Sequence, residues 1–261
     1  MVTYNSNVRV IGVIHLLPLP GTPLGEYPLS TVLKRAIFDA KELQKGGVET
    51  AILENFGDAP FQRECVEPHI ISCMTIIAEH IIRETGLQLG INVLRNDARA
   101  ALGIALSVRA EFVRVNIHTG AAWTDQGLIQ GDAYQTLLYR KLLGCNVEIA
   151  ADVLVKHASS AGDWKLLDAA KDAWYRGRAA ALIITGSATG AMVDWEDIKM
   201  LRRELPDAKL WIGSGMTPEQ APQAQGLVQA LIVGTYFHRD GDIAQPLDAE
   251  RVKIFMDALR C

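Results

Sequence analysis

Long apolar runs are missing from this chain. No stretch of about 18 hydrophobic residues occurs, so nothing in it reads as a membrane-spanning helix. A basic excess is missing too. Lys and Arg number 26 against 30 Asp and Glu, a formal net charge of −4, whereas a general nucleic-acid binder needs the opposite balance to neutralise phosphates. The four cysteines, Cys65, Cys73, Cys145 and Cys261, form no C-x-x-C pair and no framework spacing. That excludes a disulfide scaffold or a structural zinc and predicts reduced, mostly buried thiols in a cytosolic protein. Residues 1–7 are polar and lack the charged-then-apolar pattern of a secretory leader, which agrees with a cytoplasmic location. No H-E-x-x-H, no G-x-x-x-x-G-K-[ST] and no G-x-S-x-G is present. Linkers, low-complexity tracts and short repeats are absent as well.

What remains is an alternation of short β-branched runs and longer helical stretches along 261 residues, 49% of them hydrophobic. Strands are predicted at 8–15, 48–54, 87–94, 112–117, 147–153, 181–185, 210–213 and 231–233. Helices are predicted at 29–46, with Ser30 or Thr31 able to cap it, then at 68–86, 97–110, 133–144, 163–177, 194–205 and 248–259. A short helix should begin near Thr217-Pro218, and a longer loop fills 118–132. Eight strands alternating with helices require parallel pairing, because each crossover returns the chain to the same end. The expected architecture is therefore one (β/α)8 barrel domain over 1–261; a doubly wound open sheet is the runner-up. The apolar surplus of 70–82 (IISCMTIIAEHII) exceeds one buried stripe and predicts a homo-oligomer paired through that helix.

Sites in this fold lie where the strands end, and these ends are crowded with polar residues. His15 follows strand one, Glu54, Asn55 and Asp58 strand two, Asn92 and Arg95-Asn96-Asp97 strand three, Asn116 and His118 strand four, Asp152, Lys156 and His157 strand five. Asp97 is equally readable as a helix cap, and His238, after strand eight, as a solvated loop residue; His69 and His80 belong to a helix surface. Glycines mark the remaining ends: Gly186, Ser187 and Gly190 after strand six, Gly213, Ser214 and Gly215 after seven, Gly234 and Thr235 after eight. Glycine lets backbone N–H groups approach an anion, and barrels often hold phosphate at these loops. These eight residues are the candidate phosphate-binding set.

Glu54, Asp152 and Lys156 are the candidate catalytic residues, and His15, Asn55, Asn92, Asn116, His118 and His157 the candidate substrate-binding ones. A desolvated carboxylate at a strand end has its pKa raised toward a general-base value. Lys156 could neutralise Asp152, stabilise an oxyanion or form a Schiff base; an Asp152–Lys156 structural ion pair is the plain alternative. No cofactor motif is evident. A hard divalent ion on Glu54, Asp58 or Asp152 could be accommodated, though no spacing rule calls for it.

Taken together, GVIHLLPLPG at 12–21, ENFGDAPF at 54–61, GINVLRND at 90–97, FVRVNIHTGA at 112–121, TDQG at 124–127, DVLVKHA at 152–158, LIITGSATG at 182–190, GSGMT at 213–217 and VGT at 233–235 resemble the BtpA/SgcQ family, in order along nearly the whole chain. The resemblance implies a barrel of the ribulose-phosphate-binding kind and a link with photosystem I biogenesis, the role for which the cyanobacterial member is named; other members look like enzymes of sugar or nucleoside metabolism. Two functions stand against each other. One is a lyase, isomerase or hydrolase acting on a small phosphorylated sugar or nucleoside-like metabolite. The other is a non-enzymatic assembly factor for a membrane complex such as photosystem I, with Leu16-Leu17-Pro18-Leu19-Pro20 as the nearest candidate for an exposed apolar surface.

Overall fold

The computed structural model describes residues 8–154, 159–160, 164–186, 193–213 and 215–260. Eight strands among them close into a parallel barrel: β1 (Arg9–His15), β2 (Thr50–Glu54), β3 (Gln88–Asn92), β4 (Phe112–Val115), β7 (Glu148–Val153), β9 (Ala181–Ile184), β10 (Leu210–Ile212) and β11 (Ala230–Val233). Each pairs with the strand before and after it in this series, and β11 returns to β1 with Arg9 opposite Ala230. Strands β2, β9, β10 and β11 are buried along their whole length. That is the requirement for a sheet with a filled interior on one side and helices on the other.

Alternation along each strand separates two cores. Ile11, Val13, Ile52, Phe112, Ala150, Ala181, Ile183, Trp211, Ala230 and Ile232 fill the barrel interior. The intervening residues, such as Ile14, Leu53, Ile91, Val113 and Leu182, join the larger core beneath the helices. Inside the barrel the Phe112 and Trp211 rings meet edge to face, 5.1 Å between centroids. Gly90 on β3 makes room for them, since a Cβ there would overlap the Phe112 ring.

The helices are α1 (Leu29–Lys45), α2 (Pro68–Thr85), α3 (Ala98–Val108), α4 (Ala133–Leu142), α5 (Leu166–Lys171), α6 (Trp195–Glu204) and α7 (Ala249–Arg260). Asp97, Asp132 and Asp194 cap α3, α4 and α6 by accepting from Ala100, Gln135 and Glu196 backbone N–H groups. Several details depart from expectation. Ser30 and Thr31 do not cap α1, because Pro28 is its N-cap and no side chain bonds there. The fifth helix starts at Leu166 rather than at 163 and widens into a π-turn over Asp172–Arg176, while Asp163 lies outside the described residues. Between β10 and β11 a short 3-10 turn, Ala221–Ala224, stands in place of a helix at Thr217-Pro218. The long loop after β4 holds an antiparallel hairpin, β5 (Ala121–Thr124) and β6 (Gly127–Gln130), turned through Asp125-Gln126, with Gly127 at φ +94. β8 (Ser159–Ser160) pairs with β5. The three described cysteines are free, but Cys65 is exposed and Cys73 and Cys145 are half-buried, so the expectation of buried thiols fails.

Packing of α2 between α1 and α3 absorbs most of its apolar surplus. Ile70, Met74, Ile77 and Ile81 are buried and Ile76 is 43% exposed. No described helix is long and apolar enough to cross a membrane. Replacing Gly90 by alanine should lower stability by about 1–3 kcal/mol through overpacking against Phe112, read as a shifted midpoint in urea unfolding. An unchanged midpoint would mean that the barrel interior yields at this tier.

Candidate active site

The alternation that fills the barrel continues upward and changes character at the strand ends. Above Ile11 and Val13 comes His15, above Ile52 comes Glu54, above Phe112 come Arg114 and Asn116, and above Ala150 comes Asp152. Above Trp211 and Ile232 the same positions are glycines, Gly213 and Gly234. A cavity of about 790 Å³ opens over this tier. One wall is Gly213, Gly215, Gly234 and Thr235, and the other carries Glu54, Arg95, Arg114 and Asn116. Phe56, Phe61, Tyr236 and Ile243 add an apolar rim, and Asp125 reaches it from the hairpin turn.

Arg114 organises the polar wall. Its Nε and Nη2 donate to Asp152 Oδ2 and Oδ1 at 3.0 and 3.1 Å, a two-pronged pairing, and its Nη1 lies 3.8 Å from Glu54 Oε2. Burial opposes the guanidinium charge, but Asp152 and Glu54 outweigh it and hold Arg114 above its ordinary value. Asn116 Nδ2 also donates to Asp152 Oδ2, at 2.9 Å, and Asn92 Nδ2 donates to Asn116 Oδ1, at 3.3 Å. Asn92 Oδ1 is buried with no hydrogen-bond partner among the described residues. The Glu54 carboxyl is pushed above the usual carboxylate range, first by burial and then by Asp152, against the pull of Arg114 and Arg95.

His15 borders the same cavity and is one half of a pair. Its Nδ1 lies 3.0 Å from Nε2 of His238, whose Nδ1 is 2.6 Å from the Gln245 carbonyl oxygen. His238 is completely buried, contrary to its reading as a solvated loop residue, because the chain after β11 folds back so that His238 bridges to Leu247 beside α1. Burial, then His238, Arg114 and Arg35, lower the His15 pKa from 6.5 to about 3. Burial, with Arg35 beside it, lowers that of His238.

Of the expected site residues, the structure brings His15, Glu54, Asn116, Gly213, Gly215, Gly234 and Thr235 to one cavity; Asp152 and Asn92 are hydrogen-bonded to Asn116, and Asp152 lines an adjoining cavity. Lys156, His157, Ser187, Gly190 and Ser214 lie outside the described residues. Gly186 is buried and does not line the cavity. His118 points elsewhere, its Nε2 2.8 Å from the Gly177 carbonyl. Asn55 is a loop tie: its Oδ1 accepts from Leu94 N–H at 2.7 Å, and its Nδ2 donates to Asp58 Oδ2 at 3.0 Å. Asp58 in turn accepts from Leu19 N–H at 2.8 Å. The three carboxylates weighed as metal ligands do not converge, and no cluster of three His, Cys, Asp or Glu able to hold a metal occurs among the described residues. Arg114 had escaped the strand-end rule because it sits one step inside β4. Its signal was available, as the one charge within FVRVNI, two residues from both Phe112 and Asn116.

The sequence profile of the BtpA family matches residues 6–260. The chain belongs to the BtpA family. A Synechocystis relative described as photosystem I biogenesis protein BtpA is 41% identical over 98% of this chain and 90% of its own length. An uncharacterised Archaeoglobus fulgidus member is 42% identical over 96% and 98%. Among solved structures, KGPDC from Streptococcus mutans superposes with a TM-score of 0.61 at 11% identity, covering 97% of both chains. Orotidine 5'-phosphate decarboxylase from Pyrococcus horikoshii does so at 0.58 and 18% identity, covering 97% and 99%. At these identities the likeness is one of fold: this BtpA-family chain is a closed (β/α)8 TIM barrel.

Two outcomes follow for this BtpA-family site. Arg114→Leu leaves Asp152 buried without its cation, and stability should fall by about 3–5 kcal/mol in denaturant unfolding; a loss below about 1 kcal/mol would show that the charges are well hydrated. The histidines set a pH dependence. Unfolded His15 takes up its proton near 6.5 and folded His15 only near 3, so the unfolded chain binds more protons between these values and stability falls as pH drops through them. His238 adds in the same direction. Thermal unfolding of His15→Gln should therefore decline less between pH 6.5 and 4 than that of the wild type, and parallel curves would refute the neutral imidazole.

Proposed function

We propose that this BtpA-family barrel is an enzyme, a lyase, isomerase or hydrolase, acting on a small phosphorylated sugar or nucleoside-like metabolite. One observation carries the reading. A cavity large enough for such a molecule joins a glycine wall (Gly213, Gly215, Gly234 and Thr235) to a wall that carries a carboxyl (Glu54), two guanidinium groups (Arg95 and Arg114) and an amide (Asn116). The glycine wall is the proposed anion end, because backbone can approach a phosphate closely where no Cβ intervenes. Ser187, Gly190 and Ser214 extend this assignment on the strength of the sequence alone, as His157 and Lys156 extend the opposite one, whereas buried Gly186 stays outside it. The polar wall is the proposed reacting end. Glu54 there is the proton-exchanging carboxyl, Arg114 the stabiliser of developing negative charge, and Asp152 the group that holds Arg114 in place. The names of the structural neighbours, among them a phosphoribosyl anthranilate isomerase and an orotidine 5'-phosphate decarboxylase, add support at the level of fold.

The description of the Synechocystis relative favours a second reading, an assembly factor for a membrane complex. The Leu16–Pro20 segment offers it no large apolar patch, since Leu16 and Leu19 are buried.

A thermal-shift panel of phosphorylated sugars and nucleotides discriminates between the two. The enzyme reading expects a phosphate ester that raises Tm and is consumed. It further expects Thr235→Asp, which adds like charge on an exposed residue of the anion wall, to weaken binding of that ester roughly tenfold or more with Tm of the free protein little changed. Co-fractionation with a membrane complex and no response to any ester would favour the assembly factor, and wild-type affinity in Thr235→Asp would move the anion site elsewhere.

A further inference from the structure

The histidine pair is more than a packing contact, because a backbone carbonyl at its end fixes where every proton sits. Gln245 O can only accept. It takes a hydrogen bond from Arg35 Nη2 and lies 2.6 Å from His238 Nδ1, so Nδ1 of His238 carries a proton. His238 is fully buried with Arg35 nearby, which disfavours a second proton on its ring. Its Nε2 therefore holds a lone pair and accepts from His15 Nδ1–H across 3.0 Å. That leaves the lone pair of a neutral His15 on Nε2. This edge of the ring faces Gly234: a Cβ there would lie 2.9 Å from Cε1 and 3.4 Å from Nε2. Glycine at 234 is thus what keeps the imidazole open to the cavity. Phe56 packs edge-on against the ring, at 5.0 Å, and steadies it. The charged groups around the pair are Glu54 on β2, Arg114 on β4, Arg35 on α1 and Asp242 beside His238.

We propose that His15 is the general base of this cavity, that His238 is the residue positioning it, and that its partner acid is Glu54, so that the substrate is a phosphate ester carrying an acidic O–H or C–H close to the phosphate-bearing carbon. The proposal rests on the enzyme reading above and narrows it to proton-shifting chemistry, an isomerisation or an elimination. Register supports the pairing, since His15 and Glu54 stand directly opposite each other on adjacent strands and both line the cavity. In the step, the Nε2 lone pair takes the substrate proton and the electrons of the broken bond stay on the substrate. The Glu54 carboxyl then gives its own proton to a second substrate atom or to the leaving group. Solvent water returns the proton from His15 to Glu54 and restores both groups. The opposite directions in which burial and neighbours push the two groups, Glu54 upward and His15 downward, agree with these roles. An anion bound against Gly234 strengthens the base, because its charge favours the imidazolium.

The ring state is testable without a substrate. Long-range 15N–1H correlation spectra of the whole protein, with His15→Gln and His238→Gln for assignment, tell which ring nitrogen bears the proton. Between pH 5 and 8 His15 should show a protonated Nδ1 and a bare Nε2 throughout. A proton on Nε2, or titration inside that range, would overturn the proposal. The second arm uses whichever ester of the panel is consumed. His15→Gln should lower kcat about 10²–10⁴-fold with the ester's Kd changed less than about threefold. His238→Gln, whose amide oxygen can still accept from Nδ1–H, should lose much less kcat than His238→Leu, with circular dichroism confirming that each variant is folded. Undiminished kcat in His15→Gln, or equal losses in the two His238 variants, would also overturn it. An ester panel without any binder sinks the enzyme reading instead, and the spectra then decide alone whether His15 is held as a base.

Discussion

A closed eight-stranded barrel has to fill its own interior, and in this chain that constraint places the strand-borne groups of the site. Each strand contributes alternate residues inward. The lower positions are apolar and tightly stacked, to the point that Gly90 is needed beside Phe112. One tier higher the same alternation delivers His15, Glu54, Arg114, Asn116 and Asp152, with glycines across from them. Charges delivered to a place that is nearly dry must compensate one another. Arg114 does so for two carboxylates at once, and the side-chain amides of Asn116 and Asn92 extend the network. The polar tier is therefore a packed layer of the barrel, as constrained in its geometry as the apolar layers below it.

The loops above that tier are tied to one another by the motif that looks most catalytic. In ENFGDAPF only Glu54 and the two phenylalanines reach the cavity. Asn55 and Asp58 bind backbone of the loops after β3 and β1, and Gly57 donates to Leu16 O at 3.0 Å in a spot where a Cβ would press on that same loop. Buried backbone N–H groups in such loops need partners, and a short carboxylate or amide on the neighbouring loop is an economical one. The distinctive spacing of the motif thus follows from holding three strand ends together as much as from chemistry.

Two of the groups that border the cavity are displaced in opposite directions by similar causes. Burial raises Glu54 because its ionised form is the charged one, and lowers His15 because its protonated form is. Arg114 acts on both, pulling against the first effect and adding to the second. A neutral imidazole and a reluctant carboxylate side by side fit the proton-shifting chemistry proposed above, and Gly234 beside the imidazole leaves the space that the proposed anion would need.

The sequence by itself determined the barrel, its strand count and the end at which polar residues gather, because period-two runs separated by helical stretches permit little else. Capping at Asp97, and the grouping of Glu54, Asn116, Gly213 and Gly234, were legible for the same reason: strand-end positions follow from local pattern. Other features were decided by contacts between residues far apart in the chain. Arg114 lies inside a strand, and only its neighbours on β2 and β7 show that it is the centre of the polar wall. His238 looks like a loop residue until the chain after β11 closes over α1 and buries it against His15, 223 positions away. His118 and Asn55 sit at strand ends like the others yet turn aside, toward Gly177 O and Leu94 N–H. Local pattern fixes which face of a strand a residue occupies, whereas the partner that completes its hydrogen bonds is chosen by the closure of the barrel.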